Sequence, residues 1–398
     1  MQVMPADGFP TDSTESTARS LVSAHTAFDG IVVAHDYLTQ HGGAERVALQ
    51  LAGQLDATTI LTSVFRPDQT FTQAADFDVR EIESALLRPF ASDPRKALPF
   101  LAHAWSHVPP VEADAVVCSS SGWAHGLPVA EGTFKVVYCH NPARWLYQRE
   151  DYTRGASLAV RTALAALSPS LRRWDATAAL SADAYLANSS VVADRIRRVY
   201  GIEAQVVHPP VSIDADGPQE AVDGLDDGFF LTVARPRGYK GTEVLREAFR
   251  RMPDEQLVVV GAADRDGPPN VRGLGEVSES QLRWLYAHAR ALTSVSHEDF
   301  GLTPLEANAF GTPSLVLRAG GFLDSTDEGV SGSFIAADTV TAVVDAVRAF
   351  PVSWNRDTVK RHAGRFSADA FGRRMREVID RRGRVAGGTR ALRRRAVA

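Results

Sequence analysis

The sequence predicts an α/β chain built as two successive halves, each a parallel sheet flanked by helices, and three observations carry that expectation. Short apolar runs such as Ile31-Val32-Val33-Ala34 and Val136-Val137-Tyr138-Cys139 recur along the chain and alternate with helical patterns, as parallel strands joined by crossover helices require. A glycine turn separates strand from helix in each half, at Gly42-Gly43 and at Gly301. Residues 213–227, IDADGPQEAVDGLDD, are acidic, rich in Gly and poor in apolar side chains, the composition of a linker between domains.

The composition permits this. A chain of 398 residues with 44% hydrophobic content can bury ample core and is long enough for two or three domains. Its two cysteines, Cys118 and Cys139, each end an apolar run; they point to buried reduced thiols in a cytoplasmic protein and argue against a disulfide framework. The net charge of −5 hides an asymmetry, because residues 381–398 carry seven arginines and no acid. A nucleic-acid binder would be basic through its body, so nucleic acid is not an expected partner, and the tail reads as a solvated or membrane-facing appendage. No apolar stretch approaches the roughly 20 residues needed to span a bilayer. Residues 1–28 lack the basic and apolar regions of a signal peptide and are expected to be a disordered tail.

In the first half, Gly30 to Asp36 reads as the opening strand, followed by Gly42-Gly43 and a helix from Ala44 to Ala52. This places backbone amides above the carboxyl edge of the sheet, where α/β proteins bind ligands, although a tight turn without a ligand has the same sequence. No G-x-G-x-x-G accompanies it, which argues against a dehydrogenase. Strands follow at 58–63, 115–118 and 134–139, and the last delivers His140 to the same edge, either as a hydrogen-bonded structural residue or as a site residue. The stretch 156–180 reads as a helix kinked or broken at Pro169, with Arg161, Arg172 and Arg173 giving it an ordinary packed face or a membrane-facing one.

In the second half, strands are expected at 229–233, 257–260, 271–274, 291–295 and 314–317. Arg235 and Lys240 follow the first of these, as solvated charges or as fixed cations facing the cleft. After the fourth comes the most informative stretch, His297-Glu298-Asp299-Phe300-Gly301-Leu302-Thr303-Pro304-Leu305-Glu306. Pro304 suits the first position of a helix, with Thr303 as its N-cap. A glycine turn feeding a helix N-terminus offers free amides and partial positive charge to a phosphate. Thr303-x-x-Glu306 is equally a capping box. Asp264-Arg265-Asp266 is formally a D-x-D, but it falls in a Gly/Pro loop that does not present metal.

Glu298-x7-Glu306 with Phe300-Gly301 inside it resembles the signature of retaining GT-B glycosyltransferases of family 4, which include bacterial mannosyl- and glucosyltransferases. The resemblance implies that Glu298 contacts the transferred sugar and Glu306 holds the ribose hydroxyls, while Phe300, Gly301, Leu302 and Thr303 present amides to the diphosphate. HDYLTQHGGAERV resembles the family's first loop, which would set Gly42 and Gly43 against the same diphosphate. YCHNPARWLY is similar to a segment whose histidine, here His140, approaches the sugar. Arg235 and Lys240 have the spacing of the family's diphosphate clamp, and such cations would make a metal dispensable, so no metal or other cofactor is expected. Asp324 stands where the family usually has Glu.

The implied architecture is GT-B: a disordered tail (1–28), a Rossmann-like acceptor domain (29–212), a linker (213–227) and a Rossmann-like donor domain (228–365). A helix (366–380) then crosses back to the first domain, and a basic tail (381–398) ends the chain. The implied activity is retaining transfer of a hexose, mannose favoured, from a nucleotide diphosphate sugar. GDP-mannose is the first donor and a UDP-sugar the second; the acceptor is a saccharide or lipid-linked molecule in cell-surface polysaccharide or glycolipid synthesis. The expected location is the cytoplasm, with peripheral contact with an anionic membrane. A GT-B nucleotide-sugar 2-epimerase and a non-catalytic nucleotide-sugar binding protein are the alternatives.

Overall fold

The computed structural model describes residues 21–22, 26–84, 86–87, 97–148, 157–233, 241–262 and 268–381. Two sheets organise it, and every strand pairing in both is parallel. The first contains β1 (Leu21–Val22), β2 (Ile31–His35), β3 (Thr59–Thr62), β4 (Asp78–Ile82), β5 (Ala115–Ser120), β6 (Phe134–Cys139), β7 (Ala184–Ala187) and β8 (Gln205–Val206), in the order β1-β4-β3-β2-β5-β6-β7-β8. The second contains β9 (Phe230–Val233), β10 (Leu257–Val260), β11 (Val271–Gly275), β12 (Ala291–Ser294), β13 (Ser314–Leu317) and β14 (Gly332–Ile335), in the order β11-β10-β9-β12-β13-β14.

Leaving aside β1, which adds at the edge beside β4, each order reverses once, between β2 and β5 in the first sheet and between β9 and β12 in the second. At such a switch point the loops leaving neighbouring strands diverge to opposite faces and open a crevice at the carboxyl edge. The central strands are largely apolar because both faces of the sheet are covered: β5 and β10 are completely buried, and β5 turns polar only at Ser119-Ser120, its carboxyl end. Helix Ala368–Asp380 returns to the first sheet, where Phe371, Met375, Val378 and Ile379 join Val47, Leu51 and Tyr138 in one core.

Several elements differ from expectation. Within the segment expected to be a disordered tail, Leu21–Val22 pairs with β4 and Ala27 bridges to Glu112. β4 and β14 are strands that the residue pattern did not announce. The helix around Pro169 is unbroken from Leu158 to Leu180. Pro169 leaves the carbonyl of Ala165 without its helical donor, but both residues are exposed, so water can replace it.

Candidate functional site

At the first switch point, β2 and β5 run in register with His35 opposite Ser119, and β6 then delivers His140 beside them. The His35 Nδ1 lies 3.0 Å from both the carbonyl and the hydroxyl oxygen of Ser119. A carbonyl can only accept, so His35 carries its proton on Nδ1. Ser119 Oγ also lies 2.8 Å from His140 Nε2, and its hydroxyl can donate to that nitrogen or accept from it. Burial, and next the His35 ring, push the His140 pKa down to about 3. This imidazole is therefore neutral at physiological pH and can hydrogen-bond a ligand without carrying charge.

Asp36, also buried, shapes the adjoining loop by accepting from Ser120 Oγ and from the backbone N–H groups of Ser121, Trp123 and Ala124. Gly42 is the N-cap of helix Gly43–Gln54. A Cβ on Gly43 would stand 3.5 Å from Leu302 Cδ1, so this helix start reaches across to the second domain.

At the second switch point, β12 leads into the loop carrying Glu298. Helix Leu302–Ala309 starts earlier than expected: Gly301, not Thr303, is its N-cap, and Pro304 is its third residue. Proline is equally tolerated there, because none of the first four helical N–H groups has an intrahelical partner. The capping box does not form. Instead Glu306 Oε2 accepts from the fully buried Tyr286 hydroxyl at 2.8 Å. Burial, and then the Glu306 carboxylate, raise the Tyr286 pKa well above its ordinary range, so the phenol remains a donor.

Gly301 has φ +85, and a Cβ there would meet the Phe322 ring at 2.5 Å. Phe300 is buried with its ring stacked on His208 at 5.3 Å. Ser296 Oγ donates to Glu298 Oε1 at 3.0 Å, and the Glu298 carbonyl accepts from Gly321 N at 2.9 Å. A Cβ on Gly321 would lie 2.2 Å from Phe300 Cα, so the Gly320-Gly321 pair is the floor on which the Glu298 loop rests. Arg235 and Lys240 lie outside the described residues, as do Asp264-Arg265-Asp266 and residues 382–398. β9, the neighbour of β12, ends at Val233, and Gly241 packs on Val295.

Two family models cover most of the chain: "Glycosyltransferase Family 4" matches residues 41–215 and "Glycosyl transferases group 1" matches residues 215–358. The chain belongs to the family 4 glycosyltransferases. Among curated relatives, D-inositol 3-phosphate glycosyltransferase of Mycolicibacterium smegmatis is 28% identical over 220 residues, 47% of this chain and 50% of that protein. The chain thus spans about half the length of the curated relatives it matches. Among solved structures, sucrose-phosphate synthase from Thermosynechococcus elongatus superposes with a TM-score of 0.65 at 18% identity, covering 88% of this chain and 98% of that one. Anabaena Alr3699/HepE, in complex with UDP-glucose, superposes with a TM-score of 0.61 at 15% identity, covering 88% and 99%. These likenesses establish the GT-B fold.

Within this family 4 chain the described site residues fall into two groups facing one another, His140, Gly42 and Gly43 on the first domain and Glu298 to Glu306 on the second. Sequence reading missed the residues that hold them in place: Ser119, Asp36, Tyr286 and, between the domains, Asp299 with Arg144 and Arg195. Asp324, flagged only as a departure from the family pattern, accepts from the backbone N–H and hydroxyl of Ser190 at 2.7 and 2.8 Å. It thereby caps a first-domain helix from the second domain. Among the described residues no group of three or more His, Cys, Asp or Glu side chains is placed to hold a metal ion.

Proposed function

We propose that this protein transfers a hexose, with retention, from a nucleoside diphosphate sugar to a hydroxyl of a saccharide or lipid-linked acceptor. The observation that carries the reading is the approach of two glycine-fed helix starts, Gly43 and Leu302, from opposite domains. A helix start carries partial positive charge, and the N–H groups of its first turn have no intrahelical partner, the setting a diphosphate needs. Tyr286 holds the Glu306 carboxylate for a ribose, Glu298 faces the sugar, and His140 supplies a neutral hydrogen-bond partner for a sugar hydroxyl. Arg235 and Lys240, following the strand next to β12, complete the cationic clamp in place of a metal. As the anomeric C–O bond breaks, the diphosphate leaves with the electron pair and its growing charge is stabilised by these groups. The acceptor hydroxyl attacks from the same face and passes its proton to the departing phosphate oxygen.

GDP-mannose is the first donor, on the resemblance of the loops at residues 35–47 and 138–147 to those of mannosyltransferases. The UDP-glucose of HepE makes a UDP-sugar the second. The relatives' name adds an inositol phosphate to the acceptors worth trying. Peripheral membrane contact at the cytoplasmic face is proposed on the arginine-rich tail; no helix among the described residues is long and apolar enough to cross a membrane.

The test is a thermal-shift screen against GDP-mannose, UDP-glucose, UDP-GlcNAc, GDP and UDP, with and without EDTA. A ligand present at 100 times its Kd stabilises the native state by about 2.7 kcal/mol. Selective stabilisation that survives EDTA supports the reading, and no shift with any nucleotide refutes the donor site.

A further inference from the structure

The turn between β7 and helix Ser190–Tyr200 touches both halves of the site. Asn188 Nδ2 donates to the His140 carbonyl at 3.0 Å, and Ser189 Oγ donates to the Asp299 carbonyl. Farther along the same helix, Arg195 Nη1 donates both to Asn141 Oδ1, at 3.1 Å, and to Asp299 Oδ1. Asn141 adjoins His140 and Asp299 adjoins Glu298. The second Asp299 oxygen accepts from Arg144, the first residue of the short helix Arg144–Tyr147 that follows His140. Four side chains of the first domain thus converge on the two residues next to the proposed reacting pair, or on the main chain there.

The exposure of these groups bears on what the contacts are for. The Arg144, Arg195 and Asp299 side chains are 36%, 22% and 15% exposed. Only Arg144 is well exposed; Arg195 and Asp299 are partly shielded from water, which limits how far solvent can loosen the pair. Their value is geometric: a carboxylate held by two guanidinium groups has its position and plane fixed, and misplacing reacting groups by about 1 Å costs on the order of a hundredfold in rate.

We propose that Arg195 is a positioning residue that, through Asn141 and Asp299, sets the register between His140 on one domain and Glu298 on the other, with Arg144 holding the second carboxylate oxygen. This rests on the function proposed above. A lysine at 195 keeps the charge but cannot reproduce the fixed donor geometry of the guanidinium, and an asparagine at 299 keeps the shape but not the charge.

The test compares wild type with Arg195→Lys and Asp299→Asn in the full chain, measuring release of nucleoside diphosphate from UDP-glucose and GDP-mannose, affinity for UDP and GDP, and Tm. The expected result is a 10- to 100-fold fall in kcat, with UDP or GDP affinity within about threefold of wild type and Tm nearly unchanged. Unchanged kcat in both variants overturns the proposal, as does a loss of kcat matched by an equal loss of nucleotide affinity. Asp299→Asn, isosteric and on a loop, preserves the test if the Arg195 variant fails to fold. Small-angle scattering of ligand-free protein separates this proposal from the functional one. Asp299→Asn should increase the radius of gyration whether or not the wild type turns over either sugar nucleotide, and an unchanged radius refutes the clasp.

Discussion

His140 should remain neutral far into the acid range, and the consequence can be worked through quantitatively. Its pKa of about 3 follows from burial and from the neighbouring His35 ring. At pH 5 an ordinary imidazole of pKa about 6.5 is about 97% protonated, whereas one at 3 is about 1% protonated. The folded-state pKa lies below the unfolded one, so the unfolded chain binds the extra proton as the pH falls. The stability associated with neutral His140 is intact above about 6.5 and is lost progressively from there down to about 3, reaching about 2 kcal/mol at pH 5. Two-dimensional NMR of histidine-labelled protein, with the His140 signal assigned from His140→Gln, reads the titration directly. Urea unfolding of the two proteins at pH 7.5 and pH 5 reads the linkage, and wild type should lose about 2 kcal/mol more than the variant. A His140 signal that titrates near pH 6.5, or equal losses in the two proteins, would refute the burial argument. The same neutrality predicts that any acid limb of kcat between pH 5 and 8 belongs to another group and persists in His140→Gln.

Four substitutions test the second-domain half of the site. Tyr286→Phe removes the donor to Glu306 and should weaken nucleoside diphosphate binding about tenfold, equivalent to about 1.4 kcal/mol, as read by calorimetry; unchanged affinity would detach Glu306 from the nucleotide. Gly321→Ala forces a Cβ against Phe300 Cα, so the Glu298 loop must move; turnover of the donor should fall at least tenfold, and wild-type turnover would show that the loop tolerates displacement. Glu298→Ala should abolish transfer with a modest loss of nucleotide binding, whereas Arg235→Ala should weaken both, and full activity in either variant contradicts the assigned role.

What the sequence made legible was what a few adjacent residues determine on their own. The glycine turns and the apolar central strands announce themselves locally, and two switch points then follow from strand order. Boundaries were less legible where different registers satisfy the same physics. Pro304 fits the first helical position and the third equally well, since neither amide would be used, so the true N-cap Gly301 was displaced to Thr303. β4, Asp78–Ile82, hides because it lies near the sheet edge with four of its five residues at least partly exposed, and it lacks the apolar run of a central strand. The supporting contacts were invisible for a different reason. Ser119 is a serine at a strand end until β2 brings His35 alongside it, 84 residues away in sequence. Asp299 sat in full view inside the most informative stretch, yet its partners Arg144 and Arg195 lie 155 and 104 residues away. A spacing pattern can show which carboxylates flank a glycine turn. It cannot show which charges fix the distance between two domains, because that distance exists only after both sheets have formed and closed on one another.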